Sequence, residues 1–188
     1  METIAIRKAR LSFPDLFNAV QYENTGPFKY RCTFLIPKEN VALKKQIDAA
    51  IKKVATEKWG AKADAVYKAA VAGNKVFISD GDNKAYNGYA DNWAVVATRD
   101  ETAGKPVIVD FDKSPLGEAS GKLYSGCYVN GTIDLWAQDN AFGKGIRATL
   151  INVQFVKDGE SFGGAVPASD TGLDDLSFAD DDDDDAFA

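Results

Sequence analysis

The chain has 188 residues, 45% hydrophobic and 27% charged, with two cysteines, no histidine and a formal net charge of −6. The missing imidazole excludes histidine acid–base chemistry and leaves too few ligands for a structural zinc site, and no segment approaches the ~20 apolar residues of a membrane-spanning helix. The charge is split: residues 1–157 hold all 22 Lys and Arg against 17 acids, a net of +5, while residues 158–188 hold eleven acids and no base. The overall acidity therefore describes neither part.

Residues 1–10 are charged and lack the apolar stretch of a secretory leader, so a cytoplasmic chain with Cys32 and Cys127 as reduced core thiols is expected. Residues 3–13 read as a strand whose apolar face switches from Ile4 and Ile6 to Ala9, Leu11 and Phe13, which predicts a bulge or bend of the kind common in barrels. Pro14 is expected to end this run, and Asn24-Thr25-Gly26-Pro27 to turn the chain. Over residues 28–36 the period is two: Tyr30, Cys32, Phe34 and Ile36 face a core, and Lys29, Arg31 and Thr33 form a basic opposite face. Pro37 closes that strand.

From residue 39 the period becomes helical, with Leu43, Ile47, Ala50, Ile51 and Val54 on one stripe, Asn40 as cap and Gly60 as stop. A second, Ala-rich helix is predicted over residues 61–72, ending at Gly73. The lysines off the stripe read as a solvated face, and the helices as cover for one open side or end of a sheet. The polar segment 80–91 starts like a calcium loop but lacks the glutamate twelve positions on, so no metal is expected there. Its Tyr86, Tyr89 and Lys84 suit base stacking and phosphate contact, although loop tyrosines also cover core edges. Residues 93–99 and 105–111 read as strands.

Residues 126–137 alternate, with Cys127, Val129, Ile133 and Leu135 on one side and Tyr128, Asn130, Thr132, Asp134 and Trp136 on the other. Rings mixed with hydrogen-bonding groups are what a stacking platform needs; a helix laid over this face would instead bury Tyr128 and Trp136 as core. Residues 138–145 form a hairpin loop with Phe142 and Lys144 at its tip, and residues 146–156, carrying Arg147, return as the last strand. The Gly-Lys-Gly of this loop lacks the rest of a phosphate-loop signature, so nucleotide hydrolysis is discarded.

Residues 158–188 repel themselves through Asp180, Asp181, Asp182, Asp183, Asp184 and Asp185, and too few apolar residues accompany them to offset ordering. A flexible arm reaching ~30 Å is expected. It can lie on the basic body as a phosphate mimic, offer Phe178, Phe187 and the acid run to a partner, or simply aid solubility.

Four runs carry a resemblance: Ala9-Arg10-Leu11-Ser12-Phe13-Pro14-Asp15-Leu16-Phe17, Phe34-Leu35-Ile36-Pro37-Lys38, Tyr124-Ser125-Gly126-Cys127-Tyr128-Val129, and Asn152-Val153-Gln154-Phe155-Val156-Lys157-Asp158-Gly159-Glu160. In that order they resemble a phage family, formerly catalogued as a domain of unknown function, that is associated with single-stranded-DNA binding through an OB-fold. The resemblance implies a five-stranded barrel with a helical insertion and a protein that coats single strands during phage replication and recombination, in the host cytoplasm. It also implies a tail that recruits replication proteins and competes with DNA. Here Ala188 follows Phe187, where many such tails end on the aromatic itself.

The residues alone point the same way, since a basic β-rich body with rings interleaved among cations has both parts of sequence-independent strand binding. The reading is a mainly β, α+β chain: an OB-fold-like domain over 1–157 with a helical insertion about 39–72, and an acidic tail over 158–188. Stacking candidates are Tyr86, Tyr89, Trp93, Tyr128, Trp136 and Phe142; phosphate candidates are Arg10, Lys29, Arg31, Lys84, Arg99, Lys144 and Arg147. No catalytic residue, cofactor or membrane contact is expected, and an open sheet edge would permit a dimer or filament. Two rivals are a DNA-mimic protein acting through its tail on a host protein, and a metal-dependent nuclease using Asp80, Asp82, Asp110 and Asp112.

Overall fold

The computed structural model describes residues 1–163. In chain order it comprises β1 (Glu2–Tyr22), β2 (Thr25–Pro37), α1 (Val41–Trp59), α2 (Ala63–Ala72), β3 (Ile78–Asp80), β4 (Asn92–Asp100), β5 (Val107–Val109), β6 (Tyr128–Asn140) and β7 (Gly143–Lys157). Antiparallel pairing runs β4–β2–β1–β6–β7, and a parallel contact of Thr98 with Thr149 closes these five strands into the expected barrel. That seam holds a single residue pair. It is flanked at one end by residues 76–80, which bridge β7 at Val76 and pair with β4 through β3, and at the other by β5 pairing with β7.

Strand parity places the core. Ile4, Ile6, Ala9 and Leu11 of β1 all point inward because a register shift between Ile6 and Ala9, with Lys8 at φ 52°, resets the alternation. Cys32, Phe34 and Ile36 of β2 meet them, with Val129, Ile133 and Leu135 of β6 completing the interior, and Tyr30 of β2 is buried as well. Each fully buried Ile, Leu, Val or Phe among them contributes roughly 1.5–3 kcal/mol. Phe34 lies so close to Gly131 of β6 that the ring occupies the space a Cβ would need.

Two expectations at β1 are corrected. Pro14 does not end the strand, which continues to Tyr22 across a second register shift between Ser12 and Asp15; a bulge is where a proline needs no ladder N–H. The turn to β2 is made by Glu23 and Asn24, both at positive φ, so of the expected Asn24-Thr25-Gly26-Pro27 segment only Asn24 turns the chain and the rest begins β2. This geometry matches the right-handed twist of a hairpin. Closure gives β1, β2, β4, β6 and β7 each a neighbour on both sides, while the short β3 and β5 stand at the two ends of the strand order.

The insertion between β2 and β4 holds both helices. Asn40 caps α1 by accepting the Leu43 N–H, and Gly60 at φ 55° ends it; α2 follows after one tight turn and stops at Gly73. Leu43, Ile47, Ala50, Ile51, Val54 and Ala55 are buried in the common core, so α1 covers the barrel as its stripe predicted.

The expectation of a flexible arm from residue 158 onward is corrected for its first six residues. Residues 158–163 lie on the barrel: the Tyr124 hydroxyl donates to the Gly159 carbonyl at 2.8 Å, the Phe162 N–H donates to the Ser125 carbonyl at 3.0 Å, and Arg10 donates to the Glu160 carbonyl at 2.5 Å. Gly126, at φ 115°, has no room for a Cβ because the Glu160 carbonyl fills it. Phe178, the six consecutive aspartates from Asp180 to Asp185, and Phe187 lie outside the described residues.

Candidate nucleic-acid interface

Over the narrow β4–β7 seam lies a cleft of about 670 Å³. Its floor includes Phe77, Val96, Thr98, Arg147 and Ala148; α2 supplies one wall with Tyr67 and Val71, and the start of the 81–91 loop supplies the other with Asn83 and Lys84. At this end residues 76–80 lie between β4 and β7, the Phe77 N–H donating to the Ile146 carbonyl at 3.0 Å and the Phe77 carbonyl accepting from the Val96 N–H at 2.8 Å. Trp93 borders the cleft with the Lys44 and Lys38 ammonium groups 4.7 and 5.2 Å from its ring centre.

Arg147 faces Trp136 directly across the β6–β7 ladder. The guanidinium is positioned from behind: Gln138 accepts from Arg147 Nε at 3.0 Å while donating to Asn140 and to the Gly143 carbonyl of the hairpin tip. Trp136 is 36% exposed and donates its indole N–H to Thr149 at 3.1 Å, which fixes the ring on the barrel surface. Beyond them Phe142, 82% exposed, caps the same hairpin, its carbonyl accepting from Lys75 at 3.0 Å.

The thirteen sequence-derived site residues fall in different places. Lys84, Trp93 and Arg147 line the cleft, Trp136 lies opposite Arg147 on the β6–β7 ladder, and Phe142 sits in the turn that joins the two strands. Lys144 pairs with Asp139 near the same tip. Lys29 and Arg31 pair with Asp100 and Asp15, which neutralises much of the basic β2 face. Among the described residues, Lys84 and Arg147 have no carboxylate partner, so the cleft keeps uncompensated positive charge. Arg99 closes its own turn by donating to the carbonyls of Ala103, Gly104 and Leu150.

A second group sits on the other side of the 81–91 loop. Tyr86 is 55% exposed and meets Phe13 edge-on at 5.0 Å, whereas Tyr89 is 3% exposed, buried with Leu35 and Ala94. Arg10 and Tyr128 belong to a third place: the guanidinium lies 4.9 Å from the Tyr128 ring centre and 4.5 Å from that of Phe162, holding residues 158–163 down. Gln138, Thr149 and Val96 were not singled out by sequence. Gln138 shares the outward parity of Trp136, and that parity was the available signal.

The carboxylates named for the nuclease rival are engaged locally. Asp80 and Asp82 both accept from the Lys38 ammonium, which with neighbouring backbone N–H groups holds them below the ordinary carboxylate range and raises the lysine. Asp110 accepts from Lys122, and Asp112 from the Ser114 hydroxyl and N–H; both are likewise lowered, first by those side-chain bonds. Burial pushes the Cys127 thiol up to about 11 and that of Cys32 further, as befits core residues.

Comparison with known proteins places this architecture. The structure of the single-stranded-DNA-binding protein of bacteriophage Enc34 in complex with ssDNA is similar with a TM-score of 0.73 and 31% identity, covering 86% of this chain and 89% of that one. Protein p50 of Acyrthosiphon pisum secondary endosymbiont phage 1 is 43% identical over 178 residues, which is 94% of this chain and 95% of that protein. The single-stranded-DNA-binding protein gp2.5 of bacteriophage T7 shares the fold, with a TM-score of 0.55 at 15% identity over 88% of this chain. The family described as Enterobacter phage Enc34, ssDNA-binding protein, matches residues 2–187. With the barrel, its inserted helices and nearly the entire sequence in agreement, the chain belongs to the family of the Enterobacter phage Enc34 single-stranded-DNA-binding protein.

Proposed function

We propose that this protein binds single-stranded DNA without reading its sequence, coating strands in the host cytoplasm during phage replication and recombination. The observation that carries the reading is the pairing of Arg147 with Trp136 at the mouth of a cleft that also holds Lys84 and Trp93. A cation neutralises backbone phosphate and releases counterions, and a ring beside it stacks on a base at ~1–3 kcal/mol. The ligand class follows from likeness to the Enc34 protein, whose structure contains ssDNA. Lys84, Arg147 and Lys144 are the phosphate contacts in this reading, with Trp93, Trp136 and Phe142 as stacking groups.

The acidic end acts as a tethered competitor and as the element that recruits replication or recombination proteins. Residues 164–188 contain nine acids and no base, and Gly163, the last described residue, lies beside the 81–91 loop. A competitor tied to its own site works at high effective concentration, and its attraction to lysine is strongest at low salt.

The test is a titration of the full chain and of residues 1–163 with oligothymidine at two salt concentrations, following tryptophan fluorescence. Quenching of both forms, tighter without the tail and weaker at high salt, is the expected result. No fluorescence or affinity response in either form would overturn strand binding, and equal low-salt affinities would remove the competing tail alone.

A further inference from the structure

Strand parity assigns Phe13 to the core with Ala9 and Leu11, yet its ring is 49% exposed. The shift after Ser12 turns it outward, and its backbone sits at φ 46°, a left-handed conformation that bulky residues rarely adopt. The ring packs against Tyr86 and Tyr89 of the 81–91 loop and leaves about half its surface to solvent, and backbone outliers of this kind gather at binding sites.

The ring does not stand alone. Phe13 and Tyr86, with Ser12, Asn87, Ser125 and Phe162, surround a cavity of about 230 Å³. Ser125 Oγ accepts the Phe13 N–H at 3.2 Å and keeps its own proton to donate. Asn87 Nδ2 donates to the Phe162 carbonyl at 2.9 Å, which leaves the amide oxygen as an acceptor unused among the described residues. Aromatic walls with one donor and one acceptor are the complement of a single nucleobase, which presents a π face and hydrogen-bonding edges.

One loop joins the pocket to the cleft. Asn83 and Lys84 line the cleft, and Ala85, Tyr86 and Asn87, the next residues, line this cavity. The loop is pinned at both ends, by the Lys38 ion pairs to Asp80 and Asp82 and by the burial of Tyr89. Resting on the reading of the cleft as a single-strand site, we propose that the Phe13–Tyr86 pocket is a second nucleobase site. It takes one base of the same strand after the backbone crosses Lys84.

The experiment uses the full chain and oligothymidines carrying 5-iododeoxyuridine at one position at a time, irradiated and mapped by mass spectrometry. It is paired with affinities of Phe13→Leu and Tyr86→Leu, which keep apolar bulk but remove the π face; both sites are exposed enough for the fold to persist, checked by thermal melting. Cross-links to Phe13 or Tyr86 from one end of the oligomer, with losses of about fivefold or more in each variant, are expected. Cross-links confined to Trp93, Trp136 and Phe142, or parental affinity in both variants, would overturn the second pocket while leaving the cleft intact. Absence of any binding by the parent protein would overturn both.

Discussion

The guanidinium of Arg10 in β1 donates to the backbone carbonyl of Glu160 at 2.5 Å and to that of Gly126 at 2.5 Å. A cation expected to meet phosphate thus fastens the last described residues to the barrel. Three of the runs that carry the family resemblance meet here, through Arg10, Ser12 and Phe13, through Tyr124, Ser125 and Gly126, and through Asp158, Gly159 and Glu160.

Arg10→Met is therefore expected to destabilise the domain by about 1.5–3 kcal/mol, the range for hydrogen bonds to a charged group. It should also expose residues 158–163 to proteolysis. Gly126→Ala, which adds a Cβ against the Glu160 carbonyl, should give the same cleavage pattern with Arg10 intact. Cleavage at the parental rate in both variants would contradict the docking.

Trp136 and Arg147 are neighbours with separable roles. Trp136→Ala should weaken oligothymidine binding by about 1–3 kcal/mol and leave its salt dependence unchanged. Arg147→Ala should lower the slope of log affinity against log salt by ~0.7, the value of one single-strand phosphate contact. Affinities measured across a salt series distinguish the two.

Gly131 and Phe34 test the core. Gly131→Ala drives a methyl into the Phe34 ring and is expected to cost about 1–3 kcal/mol. In a Phe34→Leu background the same substitution should cost less, because the leucine leaves the space the methyl needs. Urea unfolding of the four proteins gives the coupling.

Lys38 makes the 81–91 loop sensitive to acid. Asp80 and Asp82 are held below the ordinary carboxylate range by the lysine, so their contribution is fully present above that range and is lost as pH falls from it through their own lowered values. The raised Lys38 remains charged throughout. Lys38→Met should melt below the parent at pH 7, and the gap should close between about pH 5 and pH 2. A gap independent of pH would show that the ion pairs contribute nothing.

Sequence by itself determined whatever depends on near neighbours along the chain. Alternation over residues 28–36 and 126–137 placed Cys32, Phe34, Val129 and Leu135 inside, the 3.6-residue stripe located α1 to within two residues at either end, and the switch between Ile6 and Ala9 announced a bulge. Those signals are local because side-chain direction follows from backbone period. The tertiary structure alone decided which outward groups remain free. Lys29, Arg31 and Arg10 are spent on Asp100, Asp15 and the carbonyls of residues 126 and 160, partners that β-pairing and loop docking bring from far along the chain. The register shift that turns Phe13 outward, and the 81–91 loop that buries Tyr89 while presenting Tyr86, likewise depend on long-range packing, to which periodicity is blind.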